Sequence, residues 1–155
     1  MSSQYARTTQ VGTERSRAEI ERLVRRFGAS GFAYAWTEDA ATIAFHVGNL
    51  TIRIVLPLPH PADPAFWLTP TKRRRTERQA QEAYEAEVRR RWRALVAVIK
   101  AKLVAVEDNI STMEQEFLAS VVLPNGQTLG EWAGPQLNDA RPLPLLPAPR
   151  ALPPA

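Results

Sequence analysis

Apolar residues at helical spacing define the first element of the chain. Four of them recur at i, i+3, i+4 and i+7, which is one face of an α-helix: Ile20, Leu23, Val24 and Phe27. Ser16 and Glu19 have the spacing of a capping box, and Gly28 is suited to end the helix. The polar residues 1–12 show no periodicity, so we expect a flexible tail there.

Large apolar residues at every second position follow in three segments. The segments cover residues 32–36, 42–47 and 50–56, and the Gly48–Asn49 pair between the last two suits a tight hairpin turn. Alternation with a period of two is typical of strands that bury one face. The pattern predicts a three-stranded antiparallel meander.

A proline-rich segment separates the meander from a long helix. Five prolines between residues 57 and 71 disfavour regular structure there. Beyond them, an apolar stripe steps by three or four residues: Tyr84, Val88, Trp92, Leu95, Ile99, Leu103, Val106 and Ile110. The stripe predicts a helix from about Thr76 to about Asn109, roughly 50 Å long. Because that exceeds the width of a small domain, we expect it to bend or to project toward a partner.

Short helices complete the predicted fold. Ser111 or Thr112 caps one of them, and the capping box of Thr128 and Glu131 opens another. The elements thus follow the order α-β-β-β-α-α, an α+β fold with the long helix packed on the sheet. We expect a single domain over residues 13–137, containing a Pro-rich basic loop at 57–75, and a disordered Pro-rich tail at 138–155.

Composition narrows the functional classes. The 155 residues include no cysteine and two histidines, so we expect neither a disulfide nor a metal site. Neither histidine has carboxylates at ligand spacing. No apolar run approaches the roughly 18 residues of a membrane span, and no secretion signal opens the chain, so we expect a cytoplasmic protein without membrane contact. No nucleotide-binding or hydrolase motif occurs, so we expect no cofactor and no catalytic residues.

Positive charge is concentrated in one segment. Residues 72–93 contain nine basic and four acidic residues, a net charge of +5, whereas the whole chain carries +4. A local basic block suits a polyanionic partner. Within it, Glu85 can pair with Arg89 and Glu87 with Arg91 at i, i+4, so we expect a structural role for these arginines.

The sequence therefore predicts a nucleic-acid interface before the long helix. Four consecutive cations would hold phosphates: Lys72, Arg73, Arg74 and Arg75. Phe66 and Trp67 would stack on exposed bases or stiffen the arm, and Arg78 and Arg53 would be secondary contacts. The alternative is a solvated basic turn with Phe66 and Trp67 against the core. We expect Trp36 and Trp92, which lie on apolar faces, to be core residues.

Two segments resemble a known group of proteins. They are AEIERLVRRFGASGFAYAW near the start and RWRALVAVIKAKLVAVEDNISTMEQEFLASVVLPNGQTLGEW from Arg91 to Trp132. They resemble small uncharacterised proteins of phages, prophages and other mobile elements, over about residues 13–137. The resemblance implies a genetic context but no activity and no functional residue. The element order also resembles double-stranded-RNA-binding domains and the core of phage single-strand annealing proteins, which is an analogy of fold alone.

Three functional hypotheses follow. The first is a non-enzymatic nucleic-acid-binding accessory protein of a mobile element, with DNA favoured over RNA and little base specificity. Four neutralised phosphates predict a log–log salt slope of about −3 to −4. The second is a protein–protein module that binds a host or phage protein through the long helix, as a possible homodimer or higher oligomer. The third is an enzyme whose site only the fold assembles.

Overall fold

The described residues form five α-helices and three strands, which follow the predicted order except for one short helix between the sheet and the long helix. The computed structural model describes the backbone of residues 2–142 and 145, and side chains from residue 12 onward. The elements are α1 (Ser2–Arg26), β1 (Ala29–Trp36), β2 (Ala40–Val47), β3 (Leu50–Pro57), α2 (Pro64–Trp67), α3 (Glu77–Glu107), α4 (Met113–Phe117), a 3-10 turn (Leu118–Ser120) and α5 (Leu129–Leu137). The predicted α+β class with an antiparallel meander is confirmed.

The sheet buries one face and leaves the other open. Its strands lie in the order β1-β2-β3, and Ile43 of β2 faces Tyr34 on one side and Ile54 on the other. These side chains lie on the face that α1 and α3 cover. On the opposite face, the His46 Nδ1 lies 3.0 Å from the Thr51 Oγ1. The apolar residues thus recur at every second position because one face of the sheet is buried, as expected.

The long helix is buried along most of its length. Its buried positions run from Ala80 to Leu103, and Trp92 is only 2% exposed. The residues of α3 at the centre of the core pack with side chains from α1 and the sheet: Trp92, Ile99, Leu103, Ile20, Val24, Ile43, Phe45 and Ile52. Because α2 contacts α3 at its start and α4 at its end, the stripe is packed within the chain as far as Leu103, whereas Ile110, which follows the helix, is 77% exposed. The expectation of a projecting end is not supported.

The first helix is longer than expected. Residues 1–12 were expected to be a flexible tail, yet α1 begins at Ser2. No proline interrupts this stretch, and each residue added to an existing helix gains a hydrogen bond. Gly12 permits close approach to α3, because a Cβ at this position would lie 2.9 Å from the Arg89 Cδ. Arg26 pairs with Glu107 at 3.1 Å, so α1 and α3 run parallel.

Capping boxes set the starts of three helices. The side chains of Thr76, Thr112 and Thr128 each accept a hydrogen bond from the backbone N–H three residues later. The side-chain oxygen at that later position accepts one from the backbone N–H of the cap. The predicted Thr128 box is confirmed. After α5 the Pro-rich tail expected at 138–155 lies mostly outside the described residues. No helix in the described part of the chain is long and apolar enough to cross a membrane.

Trp36 departs from its predicted place in the core. It lies opposite Ala41 on the core side of the sheet but is 70% exposed. As the last residue of β1, it lies at the end of the sheet, beside a pocket bounded by α1 and α3. The alternating pattern therefore predicted the correct face, while the position at the end of the strand, beside the pocket, leaves the side chain exposed.

Candidate nucleic-acid interface

The Pro-rich loop is folded around a short helix that sequence reasoning missed. Asp63 caps α2 by accepting a hydrogen bond from the Ala65 N–H at 2.9 Å, and Pro64 occupies the first helical position. Proline is well tolerated there, because the N–H it lacks would have no partner within the helix. Regular structure was not expected between residues 57 and 71, so this turn of helix is a correction.

The two candidate stacking residues are held by the loop itself. Phe66 is 8% exposed and meets the Tyr84 ring edge to face, with ring centroids 5.7 Å apart. It is therefore a packing residue, and the expectation that it stacks on a base is not supported. Trp67 is half-buried, and its indole Nε1 donates a hydrogen bond to the Pro61 carbonyl oxygen at 3.1 Å. That bond restrains the ring along the loop.

A tight hairpin presents the predicted cations. The Thr69 N–H donates to the Arg73 carbonyl oxygen and the Lys72 N–H donates to the Thr69 carbonyl oxygen, each at 2.8 Å. Pro70 lies at the second position of this turn, where its fixed φ is favourable. Lys72 then has a φ of 60°, in the left-handed region. This is the arrangement of a three-residue hairpin loop with a bulge. Lys72 occupies the bulge position, which is usually glycine.

Arg75 is hydrogen-bonded to the loop that carries it. Its Nη1 donates to the carbonyl oxygens of Ala65 and Phe66 at 3.1 and 3.2 Å. Its backbone N–H donates to the Trp67 carbonyl oxygen at 2.8 Å. A guanidinium at the last carbonyls of a helix satisfies groups that would otherwise lack partners. Its Nη1 thus helps to position the loop, and a phosphate contact by Arg75 stays a prediction.

Three predicted cations remain open to solvent. Lys72, Arg73 and Arg74, which we call the basic turn, are all exposed. No side chain of the three forms an ion pair within the described part of the chain. The backbone bonds of Thr69 and an isolated bridge between Leu68 and Arg74 order the segment that carries them. The arrangement offers three adjacent positive charges on an ordered support.

The two secondary cations have carboxylate partners. Arg78 Nε lies 3.1 Å from Glu82, and Arg53 Nη2 lies 3.0 Å from Glu131. The backbone N–H of Thr128, and after it the charge of Arg53, hold the pKa of Glu131 below its usual value. These carboxylates reduce the charge that either arginine can offer to a phosphate, so neither adds to the basic turn as expected.

The arginines inside α3 behave as the sequence predicted. Arg89 lies 4.0 Å from Glu85, and Arg91 lies 3.0 Å from Glu87. Arg90 also pairs with Glu87, at 2.7 Å. Hydrogen bonds from Arg90 and Arg91 lower the pKa of Glu87 to about 2. This network ties positive charge to the helix surface and leaves less of it for a polyanion.

Sequence reasoning did not single out a second group of open cations. Arg15 and Arg22 on α1 and Arg93 on α3, which we call the helix cations, are exposed and have no ion pair with any described residue. The seven-residue spacing of Arg15 and Arg22, which places them on one helix face, is the signal that was available. They lie on helices rather than on the hairpin, so they offer a direct comparison for the basic turn.

Side chains that could bind a metal ion are not clustered in the described part of the chain. Within that part of the chain, no three His, Asp or Glu side chains come together as a possible metal site. Comparison of the sequence and the structure with protein-family models, curated proteins and solved structures finds no match. The geometry and charge of this chain are therefore the basis on which its function is inferred.

Proposed function

We propose that this protein is a non-enzymatic nucleic-acid-binding accessory protein that holds phosphates with its basic turn. One observation carries the proposal: Lys72, Arg73 and Arg74 are exposed and adjacent on a hydrogen-bonded hairpin, and no described residue forms an ion pair with them. Arginine forks and the lysine ammonium suit phosphate oxygens. An ordered support lowers the entropy lost when these side chains meet a partner.

The conformation of Lys72 strengthens the proposal. A lysine at a φ of 60° is strained by about 1 kcal/mol relative to glycine. Strain of this kind is concentrated at functional positions. A lysine in place of glycine at the top of the hairpin adds a charged side chain where a partner can reach it.

The ligand we propose is DNA, bound without base specificity. The basic turn offers contacts to phosphates, and the helix that precedes it, α2, has only four residues, which is too short to read a groove. The mobile-element context and a cytoplasmic location stay predictions that fit this role.

The alternative of a protein-binding module acting through the long helix has less support. That hypothesis needs the apolar stripe of α3 to be accessible, whereas Trp92, Ile99 and Leu103 are buried in the core of this chain. No second function is therefore proposed for α3.

Fluorescence anisotropy with labelled single- and double-stranded DNA tests the proposal. We compare the wild-type protein with the triple variant Lys72→Ala, Arg73→Ala, Arg74→Ala. The matched control is Arg15→Ala, Arg22→Ala, Arg93→Ala, which removes the same charge from the helix cations. We expect the first variant to lose at least about tenfold in affinity and the control to lose less than about threefold.

Two results would overturn the proposal. Equal losses in both variants would mean that net charge, rather than the basic turn, drives binding. No binding by the wild-type protein at micromolar concentration and low salt would make the hairpin a solvated turn. Circular dichroism and thermal unfolding of each variant verify that the fold is retained.

A further inference from the structure

A second feature, separate from the basic turn, is a pocket lined by aromatic side chains. It lies between α1, α3 and one end of the sheet, with a volume of about 500 Å³. Four aromatic residues line it: Tyr34, Trp36, Tyr84 and Trp92. The Tyr34 and Trp92 rings lie 6.0 Å apart with an interplanar angle of 51°. Such a concave site is large enough for a small organic group.

Trp36 gives the pocket an open aromatic wall. Its side chain is 70% exposed, although it projects from the core side of β1. A tryptophan side chain contributes strongly to stability when it is buried. The exposed Trp36 side chain beside the pocket can gain that contribution by packing against a ligand. Its neighbour across the strands, Ala41, is small and also lines the pocket.

The pocket also contains a buried carboxylate. Glu85 is 3% exposed and lines the pocket. Its Oε1 accepts a hydrogen bond from the Gln81 Nε2 at 2.9 Å. Its Oε2 lies 4.0 Å from the Arg89 Nη1, which is too long for a hydrogen bond. Because a carboxylate has about four acceptor sites, Glu85 retains capacity for a further N–H donor.

The charge of the lining favours a cation. Glu14 and Glu85 contribute two negative charges and Arg17 one positive charge, while Arg89, which pairs with Glu85 at 4.0 Å, is not itself in the lining. The Arg17 Cζ lies 4.4 Å from the centre of the Tyr34 ring, so one aromatic face of the pocket already attracts a guanidinium. A net negative lining disfavours phosphate, which separates this site from the basic turn.

The ionisation of Tyr84 agrees with that electrostatic picture. Burial raises the pKa of its hydroxyl, and the charges of Glu38 and Glu85 raise it further. A negative potential that opposes a phenolate stabilises a positive group in the same place.

We propose that this pocket binds an organic cation, namely an alkylammonium or alkylguanidinium group on an unbranched chain. The N–H groups of the cation donate to Glu85, and its charge lies on the faces of Trp36 and the neighbouring rings. A free polyamine and a lysine or arginine side chain of a protein share this chemistry.

The four indole N–H signals of the full chain, followed by two-dimensional NMR, test the proposal. The titrant is n-butylammonium chloride at constant ionic strength, with n-butanol as the neutral comparison. We expect the signals of Trp36 and Trp92 to shift with the ammonium and those of Trp67 and Trp132 to stay in place, because the last two lie outside the pocket lining. Single Trp→Phe variants assign the signals.

Variants separate the two parts of the site. We expect Glu85→Gln and Trp36→Ala each to weaken n-butylammonium binding by about tenfold. Arg17→Ala removes a competing cation and is expected to strengthen binding severalfold. Trp36 is exposed, so its variant retains the core even if Glu85→Gln unfolds the protein. Equal shifts with n-butanol, or unchanged affinity in Trp36→Ala, would overturn the proposal.

The source of the cation is identified by two further titrations. Spermidine represents free polyamines, and a short peptide with one arginine represents a protein partner. Binding by either supports the site and names the source, whereas binding by neither overturns it. The basic turn takes no part in these measurements, so failure here is distinguishable from failure of DNA binding.

Discussion

Lys72 shows how one backbone angle links stability to the proposed function. Its φ of 60° follows a turn that begins with Thr69 and Pro70, and the Thr69 Oγ1 accepts the Arg73 N–H at 3.0 Å. These bonds hold a left-handed lysine where glycine would be unstrained. A protein that only needed to close the hairpin would be more stable with glycine at this position.

Replacing Lys72 tests whether its strained backbone is retained for the phosphate contact of its side chain. We expect Lys72→Gly to raise the free energy of unfolding by about 1 kcal/mol, because glycine adopts a positive φ without strain. We expect the same variant to lower DNA affinity about two- to fivefold, because one phosphate contact is lost. Urea unfolding and anisotropy measure the two effects. Lys72→Ala is the matched control: it should lower affinity equally without gaining stability. A less stable Lys72→Gly would contradict the described turn.

Residue identity alone did not separate Arg75 from the three cations before it. All four are consecutive, and their chemistry is nearly the same. The difference lies in the carbonyl oxygens of Ala65 and Phe66, which α2 places within reach of the Arg75 guanidinium. Because α2 depends on the capping of a short turn inside a Pro-rich loop, periodicity carried no signal for it.

At the level of elements, α3 is joined to the sheet by charge as well as by apolar packing. Glu87 accepts hydrogen bonds from Arg90 and Arg91, at distances from 2.7 to 3.0 Å. Arg91 also donates from its Nη1 to the Pro57 carbonyl oxygen at 2.8 Å, at the end of β3. Glu87 therefore orients the arginine that connects the helix to the last strand.

The lowered pKa of Glu87 makes this connection dependent on pH. Its value is about 2 in the folded protein against an ordinary 4.5, so the folded state favours the ionised form. The resulting stabilisation is fully present above the ordinary pKa and is lost as the pH falls toward 2. We expect Glu87→Gln to be less stable than the wild-type protein at pH 7, and the difference to shrink below about pH 5. Urea unfolding at several pH values measures it, and a difference that does not change with pH would contradict it.

Elements that follow from a periodic pattern in the sequence were predictable, and those that depend on contacts with other elements were not. The stripe predicted α3 from about Thr76 to about Asn109, close to the observed Glu77–Glu107. The strands followed from alternation, because each has one buried face. The early part of α1 lacks an apolar stripe, and its approach to α3 depends on a contact between Gly12 and Arg89 that is distant in sequence.

Across the whole molecule, the positive charge is divided between paired and open residues. The block at 72–93 carries a net +5, but Glu85 and Glu87 pair with three of its arginines. The charge available to a polyanion is therefore smaller than the count suggests, and the basic turn is its most compact part. Four phosphate contacts were expected from the sequence, whereas the commitment of Arg75 leaves three.

The salt dependence of DNA binding counts those contacts. Three neutralised phosphates give a log–log slope of about −3 on duplex DNA and about −2 on a single strand. Duplex affinity should then fall about 40-fold between 50 and 200 mM salt. Anisotropy over a series of salt concentrations measures the slope, and the basic-turn triple variant should flatten it while the helix-cation variant leaves it unchanged.

A slope steeper than about −5 would require more cations than the basic turn contains and would move the interface toward α1 and α3. A slope near zero would mean that phosphate contacts do not drive the binding, because every neutralised phosphate releases counterions.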